Sequence, residues 1–206
     1  MTHVATQTNP WFSIWTKPRE TIQSIVNRNP EYLVIPLAAL AGVSEALDKA
    51  STKSVGDSLS LPGVFLLAVV AGSISGIIGL YIFGYLLKVT GKWLGGQSDA
   101  QNIRTAIAWS SVPVIWALLL WVPELLIFGN DLFTSPTPRV EAHPYVYFGF
   151  LGVELVIAIW SLMIFFKCLG QVQGFSAWRG LGSAVLALVL VLVPFLLLAL
   201  IVVVTK

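Results

Sequence analysis

The chain has 206 residues, 56% of them hydrophobic and 11% charged, with a net charge of +2. Soluble domains carry about 25% charged residues, so this composition leaves too little polar surface to cover a fold of this size in water. The small net charge excludes a nucleic-acid surface built on bulk positive charge, and the single cysteine, Cys168, excludes an intrachain disulfide and any multi-cysteine metal site.

The first residues, Thr2 to Thr8, are mostly polar, and no apolar core of a signal peptide lies within the first 30. The first apolar span is therefore expected to serve as its own insertion signal. Asn9-Pro10-Trp11-Phe12-Ser13-Ile14-Trp15 then places four large apolar side chains ahead of any span. Pro18 to Arg28 reads as a short helix with Pro18 in its first turn and Thr16 as N-cap. Ile22, Ile25 and Val26 share one face, which makes an interfacial amphipathic helix with Trp11 and Trp15 as headgroup anchors. Such a helix either parks the N-terminus on the bilayer or presents a docking surface to a cytosolic partner.

Crossing about 30 Å of hydrocarbon takes ~20 apolar residues. Four stretches meet this: Leu61 to Leu87, Ile103 to Val122, Val146 to Phe166 and Leu181 to Val204. A fifth, Tyr32 to Ser44, is short and is stopped by Glu45; it spans if the helix runs from Pro30 to about Lys49, and its rival is a re-entrant segment. The expected fold is all-α, a polytopic five-transmembrane-helix bundle with an N-terminal interfacial amphipathic helix. Residues 1–29 form the cytosolic N-terminal region and 30–206 the five-helix domain, with spans at about 30–49, 61–87, 103–122, 146–166 and 181–204. The longest connection runs from about Pro123 to Tyr145.

Charge asymmetry sets the orientation. With five spans, Lys17, Arg19, Arg28, Lys88, Lys92, Arg104, Lys167 and Arg179 fall on one side, and Lys49, Lys53, Arg139 and Lys206 on the other. Glu45, Asp48, Asp57, Glu124, Asp131 and Glu141 join the second group. Lysine and arginine mark the cytoplasmic side, so the N-terminus is expected inside and the C-terminus outside. A re-entrant first segment breaks this pattern.

Within the spans, Ala68, Gly72 and Gly76 are four residues apart and line one helix face, suited to close helix packing inside the bundle or against a partner or second copy. Glu154 is the one carboxylate well inside a span, where an unpaired charge costs roughly 3 kcal/mol on insertion scales. Ser161 and Cys168 follow at heptad spacing on the same face. Glu45 and Glu124 sit toward the same end of their spans, so Glu45, Glu124 and Glu154 converge on an outer-leaflet polar site, or else reach water separately. Pro113 and Pro194 fall mid-span and kink their helices. Of Trp109, Trp116 and Trp121, the last is placed at the outer interface.

No catalytic residues, cofactor or metal site are expected. His3 lies in the polar tail and His143 in a connection, with no GxSxG, phosphate loop or metal-ligand spacing. Gly91-Lys92-Trp93-Leu94-Gly95-Gly96 follows a helix and reads as a turn.

Several of these stretches bear a likeness to a known family. Asn9-Pro10-Trp11 through Pro18, Gly95-Gly96, Ala108-Trp109-Ser110-Ser111-Val112-Pro113, Ile159-Trp160-Ser161 and Gly170-Gln171-Val172-Gln173-Gly174-Phe175-Ser176 together resemble the Yip-type domain family in its bacterial branch, over nearly the whole chain. The resemblance implies a compact five-helix membrane domain with a cytosolic N-terminus. Eukaryotic members of the family act in vesicle trafficking and contact prenylated Rab-type GTPases. This sequence lacks their long N-terminal extension, so GTPase binding does not carry over, and no catalytic residue transfers. The expectation is a non-enzymatic multi-pass protein of the bacterial inner membrane that scaffolds or binds other membrane components, its partners being the lipid bilayer and a membrane protein or second copy. The alternative is a small transporter or channel using Glu154. An enzyme acting on lipid needs a polar cluster that the connections do not supply.

Overall fold

The computed structural model describes the backbone from residue 9 to 204 and side chains to 193. His3 and Lys206 lie outside the described residues, as does the Pro194 side chain. The described residues are overwhelmingly helical, with no strand.

The collar folds as two helices rather than one. α1 (Pro10–Thr16) starts where the Asn9 carboxamide accepts from the Trp11 amide at 3.0 Å, and α2 (Pro18–Arg28) starts at Pro18. Lys17, at the junction, both ends α1 and precedes α2 without a side-chain cap, so Thr16 closes the first helix instead of capping the second. A proline ring at the first position removes an amide that no helix would have used. α3 (Val34–Thr52) begins four residues beyond Pro30, because residues 30–33 form a turn that ends with Leu33 at φ +55°.

After a short 3-10 turn (Val55–Asp57), α4 (Leu61–Leu67), a π-helical turn (Ala68–Gly72) and α5 (Ser73–Trp93) form one unbroken rod. α6 (Ala100–Ser110), α7 (Val112–Ala117) and α8 (Trp121–Phe128) make a second, broken rod. α9 (Pro138–Ala142) is short, and α10 (Pro144–Gln173) and α11 (Ala177–Val204) complete the chain. The second rod continues past Val122 because Pro123 sits in the first turn of α8, where proline is tolerated. The long connection after Val122 is thus largely helical, running through α8, a 3-10 turn at Gly129–Phe133, and α9.

The break between α6 and α7 has a local cause. Pro113 cannot donate an amide to the preceding turn. The hydroxyls of Ser110 and Ser111 both donate to the Ile107 carbonyl, at 2.7 and 3.2 Å, and such back-bonding bends helices. Two other helix ends are set by glycine. Gly95 and Gly174 have φ of +86° and +75°, and the next amide of each reaches back five residues, Gly96 to the Gly91 carbonyl and Phe175 to the Gly170 carbonyl. That pattern satisfies carbonyls left over at a helix C-terminus.

α6 is the hub, touching α2, α3, α5 and α10, while α10 and α5 both pack on α11. Trp109 of α6 is fully buried among Ile14, Ile22, Leu37, Leu80 and Ile164. At the other end, Trp121 stacks on Phe133 at 5.4 Å and is buried with Phe128, Leu47 and Val64. Trp121 therefore fills the core, where an interfacial ring was expected. The neighbouring Phe133 supplies a ring to stack on that spacing along one helix cannot reveal.

The closest approach joins α3 to the first rod. Ala38 lies against Gly76, and Gly42 against Gly72 and Gly76, so the two run antiparallel. A Cβ on Gly42 would sit 2.7 Å from the Gly76 Cα and overlap the Gly72 carbonyl oxygen; one on Gly72 would sit 2.9 Å from the Ala46 Cβ. The small-residue face of Ala68, Gly72 and Gly76 thus meets a second small face on α3, and backbone touches backbone.

Three rods, Leu61–Trp93, Ala100–Phe133 and Pro144–Gln173, are long and apolar enough to cross a membrane, and Ala177–Val193 is a shorter apolar helix. Most of their apolar side chains face outward, including Ile74, Ile78, Leu126, Phe148, Leu155 and Val156. That surface suits hydrocarbon and not water.

Because backbone atoms cannot step aside as side chains can, Gly42→Val should lower stability by about 3 kcal/mol. Gly79→Ala, at a site where nothing lies within 4 Å of the new Cβ, should change it by less than about 0.5 kcal/mol. Unfolding of the purified protein in detergent, followed by circular dichroism, measures both.

Candidate functional site

The heptad face of α10 meets two different partners. Cys168 is fully buried and its Sγ lies 3.6 Å from the Pro18 carbonyl of α2. Ser161 donates to the Ser110 carbonyl at 2.7 Å, satisfying an acceptor at the α6–α7 break. Glu154 is half-buried and makes no hydrogen bond or ion pair among those the described residues form. Seven residues of helix are about 10.5 Å, so the three positions are one packing seam and not one pocket.

Of the three acids expected together, Glu124 is buried, Glu154 half-buried and Glu45 exposed, and Asp48 beyond Glu45 is exposed as well. Glu45, one turn earlier on α3, makes an exposed ion pair with Lys49 at 2.6 Å. It also lines a groove of about 250 Å³ between α3, α5 and α6, with Ser75, Gly79 and Ser111. Glu124 is 6% exposed.

The collar is docked on the bundle. Trp11 meets Trp109 edge-on at 5.8 Å, and the Trp160 indole donates to the Trp15 carbonyl at 3.1 Å. Ile22 and Ile25 of α2 are buried against protein, and Gln171 donates to the Gln23 carboxamide at 3.1 Å. The turn before α3 is held in the same way: Thr105 donates to the Pro30 carbonyl, and the Trp109 indole to the Tyr32 carbonyl at 3.0 Å. Backbone carbonyls that leave helical geometry are received by hydroxyls and indoles of α6 and α10.

Residues that sequence reading passed over hold the opposite end. Gln173, 2% exposed, lies in a slot whose walls are Gly91 and Gly96; a Cβ on either would collide with its carboxamide. Its Nε2 donates to the Leu87 carbonyl at 3.1 Å, its carbonyl accepts from the Gln97 amide at 3.3 Å, and its Oε1 has no partner among the described residues. Nearby, the Thr90 hydroxyl lies 2.9 Å from that of Ser183 and donates to the Ser183 carbonyl at 3.0 Å. The available signal was a polar side chain inside an apolar run, as at Thr90, and two glycine turns separated by more than seventy residues.

Long apolar rods around a hub helix, with buried hydroxyls turned on backbone carbonyls, define a polytopic membrane-protein fold. The chain belongs to the Yip1 domain family, whose model matches residues 12–200. No curated protein and no solved structure matches it.

If the carboxamide of Gln173 is what the two glycines accommodate, Gly96→Ala should cost about 1–3 kcal/mol. In a Gln173→Ala background the same change should cost at least 1 kcal/mol less, since residues in contact couple. A double-mutant cycle from thermal unfolding gives the coupling, and strict additivity would contradict this account of the slot.

Proposed function

We propose that this protein is a five-span protein of a bacterial inner membrane, with a cytosolic N-terminus and an outer C-terminus, and that it binds or organises other membrane components without catalysing a reaction. α3 supports the fifth span: its 19 residues, about 28 Å long, pack along the first rod, and its charges Glu45, Asp48 and Lys49 sit in the half that ends at Thr52. The distribution of lysine and arginine supports the orientation. In this reading α1 lies near the inner headgroups, with exposed Phe12 beside Trp11 and Trp15 as the anchor.

The observation that carries the non-catalytic reading is the use made of the buried hydroxyls. Thr90, Thr105, Ser110 and Ser161 all donate to backbone carbonyls and join helices or helix breaks. The large outward apolar faces of α5 and α10 leave surface for a second copy or another membrane protein. Single-cysteine labelling with a membrane-impermeant reagent should report Lys92 and Arg179 positions on one side and Lys53 and His143 positions on the other. Cross-linking in cells should trap a homo-oligomer or a defined partner; a protein that stays monomeric with nothing trapped removes the organising role.

A transporter or channel is the second reading, and the observation favouring it is two acids within the apolar rods, Glu124 at 6% exposure and Glu154 half-buried on α10. On that reading liposomes carrying the protein should pass protons or monovalent cations, and Glu154→Gln should reduce the flux at least tenfold. Wild-type flux equal to that of empty vesicles removes it.

A further inference from the structure

We propose that the α5–α6 surface around Arg104 seats the phosphate of an anionic phospholipid, in the leaflet where α5 ends and α6 begins. The inference rests on the membrane-embedded fold and is independent of any scaffolding role.

Arg104 lies four residues into α6, about 6 Å from its start, and its half-buried side chain lies along α5. Gly84 of α5 is buried, and a Cβ there would fall 2.9 Å from the Arg104 Cγ and 3.8 Å from its Cδ. The missing side chain lets the aliphatic stem of the arginine lie against α5. The guanidinium carbon then rests 4.7 Å from the centre of the Tyr81 ring, within cation–π range. Stem and ring together hold the guanidinium fork in place.

No carboxylate neutralises that fork. The two ion pairs among the described residues are Lys17–Glu20 and Lys49–Glu45. The acid nearest in sequence, Asp99, caps α6 by accepting from the Asn102 amide at 2.9 Å. Tyr81, Tyr85 and Lys88 recur at four and three residues and so share a face of α5, with Lys88 about 10 Å further along the helix than Tyr81. Tyr81 and Tyr85 are half or more exposed, and Ile78 and Ile82 around them are exposed too.

An unpaired guanidinium binds phosphate oxygens through paired N–H donors. The exposed isoleucines surround it with an apolar surface that acyl chains cover, while a free phosphate gains nothing from them. The charge complement and the apolar setting together select a phospholipid carrying net negative charge.

The test uses the purified full chain in maltoside micelles with dioleoyl-phosphatidylglycerol or dioleoyl-phosphatidylcholine added, and native mass spectrometry to count bound lipid. Phosphatidylglycerol should bind in preference to phosphatidylcholine. Arg104→Gln should weaken phosphatidylglycerol binding about fivefold and leave phosphatidylcholine unchanged. Arg104→Lys should lose most of the same preference, because an ammonium lacks the fork. Lys167→Gln, an equal loss of charge on α10, should stay within about twofold of wild type. Should Arg104→Gln fail to fold, Tyr81→Leu carries the readout with a loss of about twofold to fivefold. Equal affinity for the two lipids overturns the proposal. So does an equal effect of Lys167→Gln and Arg104→Gln, which would show bulk charge alone, or an unchanged preference in Tyr81→Leu. Full competition by glycerol phosphate also overturns it, since that would mark a site for the free anion.

Discussion

In hydrocarbon a backbone carbonyl that leaves its helix finds no water, so the protein itself must supply a donor. Much of this architecture follows from that constraint. Among the places where the chain departs from regular helix are the junction between α1 and α2, the turn from Pro30 to Leu33, and the break between α6 and α7. At each, a side chain from another helix arrives. Trp160 reaches the Trp15 carbonyl, Thr105 and Trp109 reach those of Pro30 and Tyr32, and Ser161 reaches that of Ser110. The donors come from α6 and α10, the two helices that make most of the contacts to the collar, so polar satisfaction and packing select the same neighbours.

The same constraint explains why polar residues inside the spans read as a site and behave as fasteners. A hydroxyl on a lone apolar helix must find an acceptor, and the acceptors on offer are carbonyls at breaks and helix ends. Glycine works with it. Gly42, Gly72 and Gly76 bring α3 onto the first rod, and Gly91 and Gly96 open the slot that Gln173 fills. Against this background Glu124 stands apart as a largely buried acid, and Arg104 as a cation stacked on a ring with no acid paired to it among the described residues.

The heptad of Glu154, Ser161 and Cys168 shows how far periodicity reaches. Spacing placed the three on one face, and the structure does turn that face inward. The partners of Ser161 and Cys168, the carbonyls of Ser110 and Pro18, come from distant parts of the chain. Leu47 and Asp48 are adjacent on α3, yet the first is buried in the core and the second is exposed. Rotation of α3 against its neighbours decides between them, and hydropathy does not encode that rotation.

Sequence alone determined the helical class, the apolar rods and their approximate ends, and the family, because hydrophobic run length, proline at first turns and glycine at helix ends are local properties of the chain. Tertiary structure decided that the collar lies against α6 and α10, that Trp121 is core, and that Gln173 closes the end of the bundle where α5 and α10 stop. These depend on which helices become neighbours and at what rotation. In a bundle whose members are all apolar, that choice is made by shape and by a few long-range hydrogen bonds, which no single stretch of sequence contains.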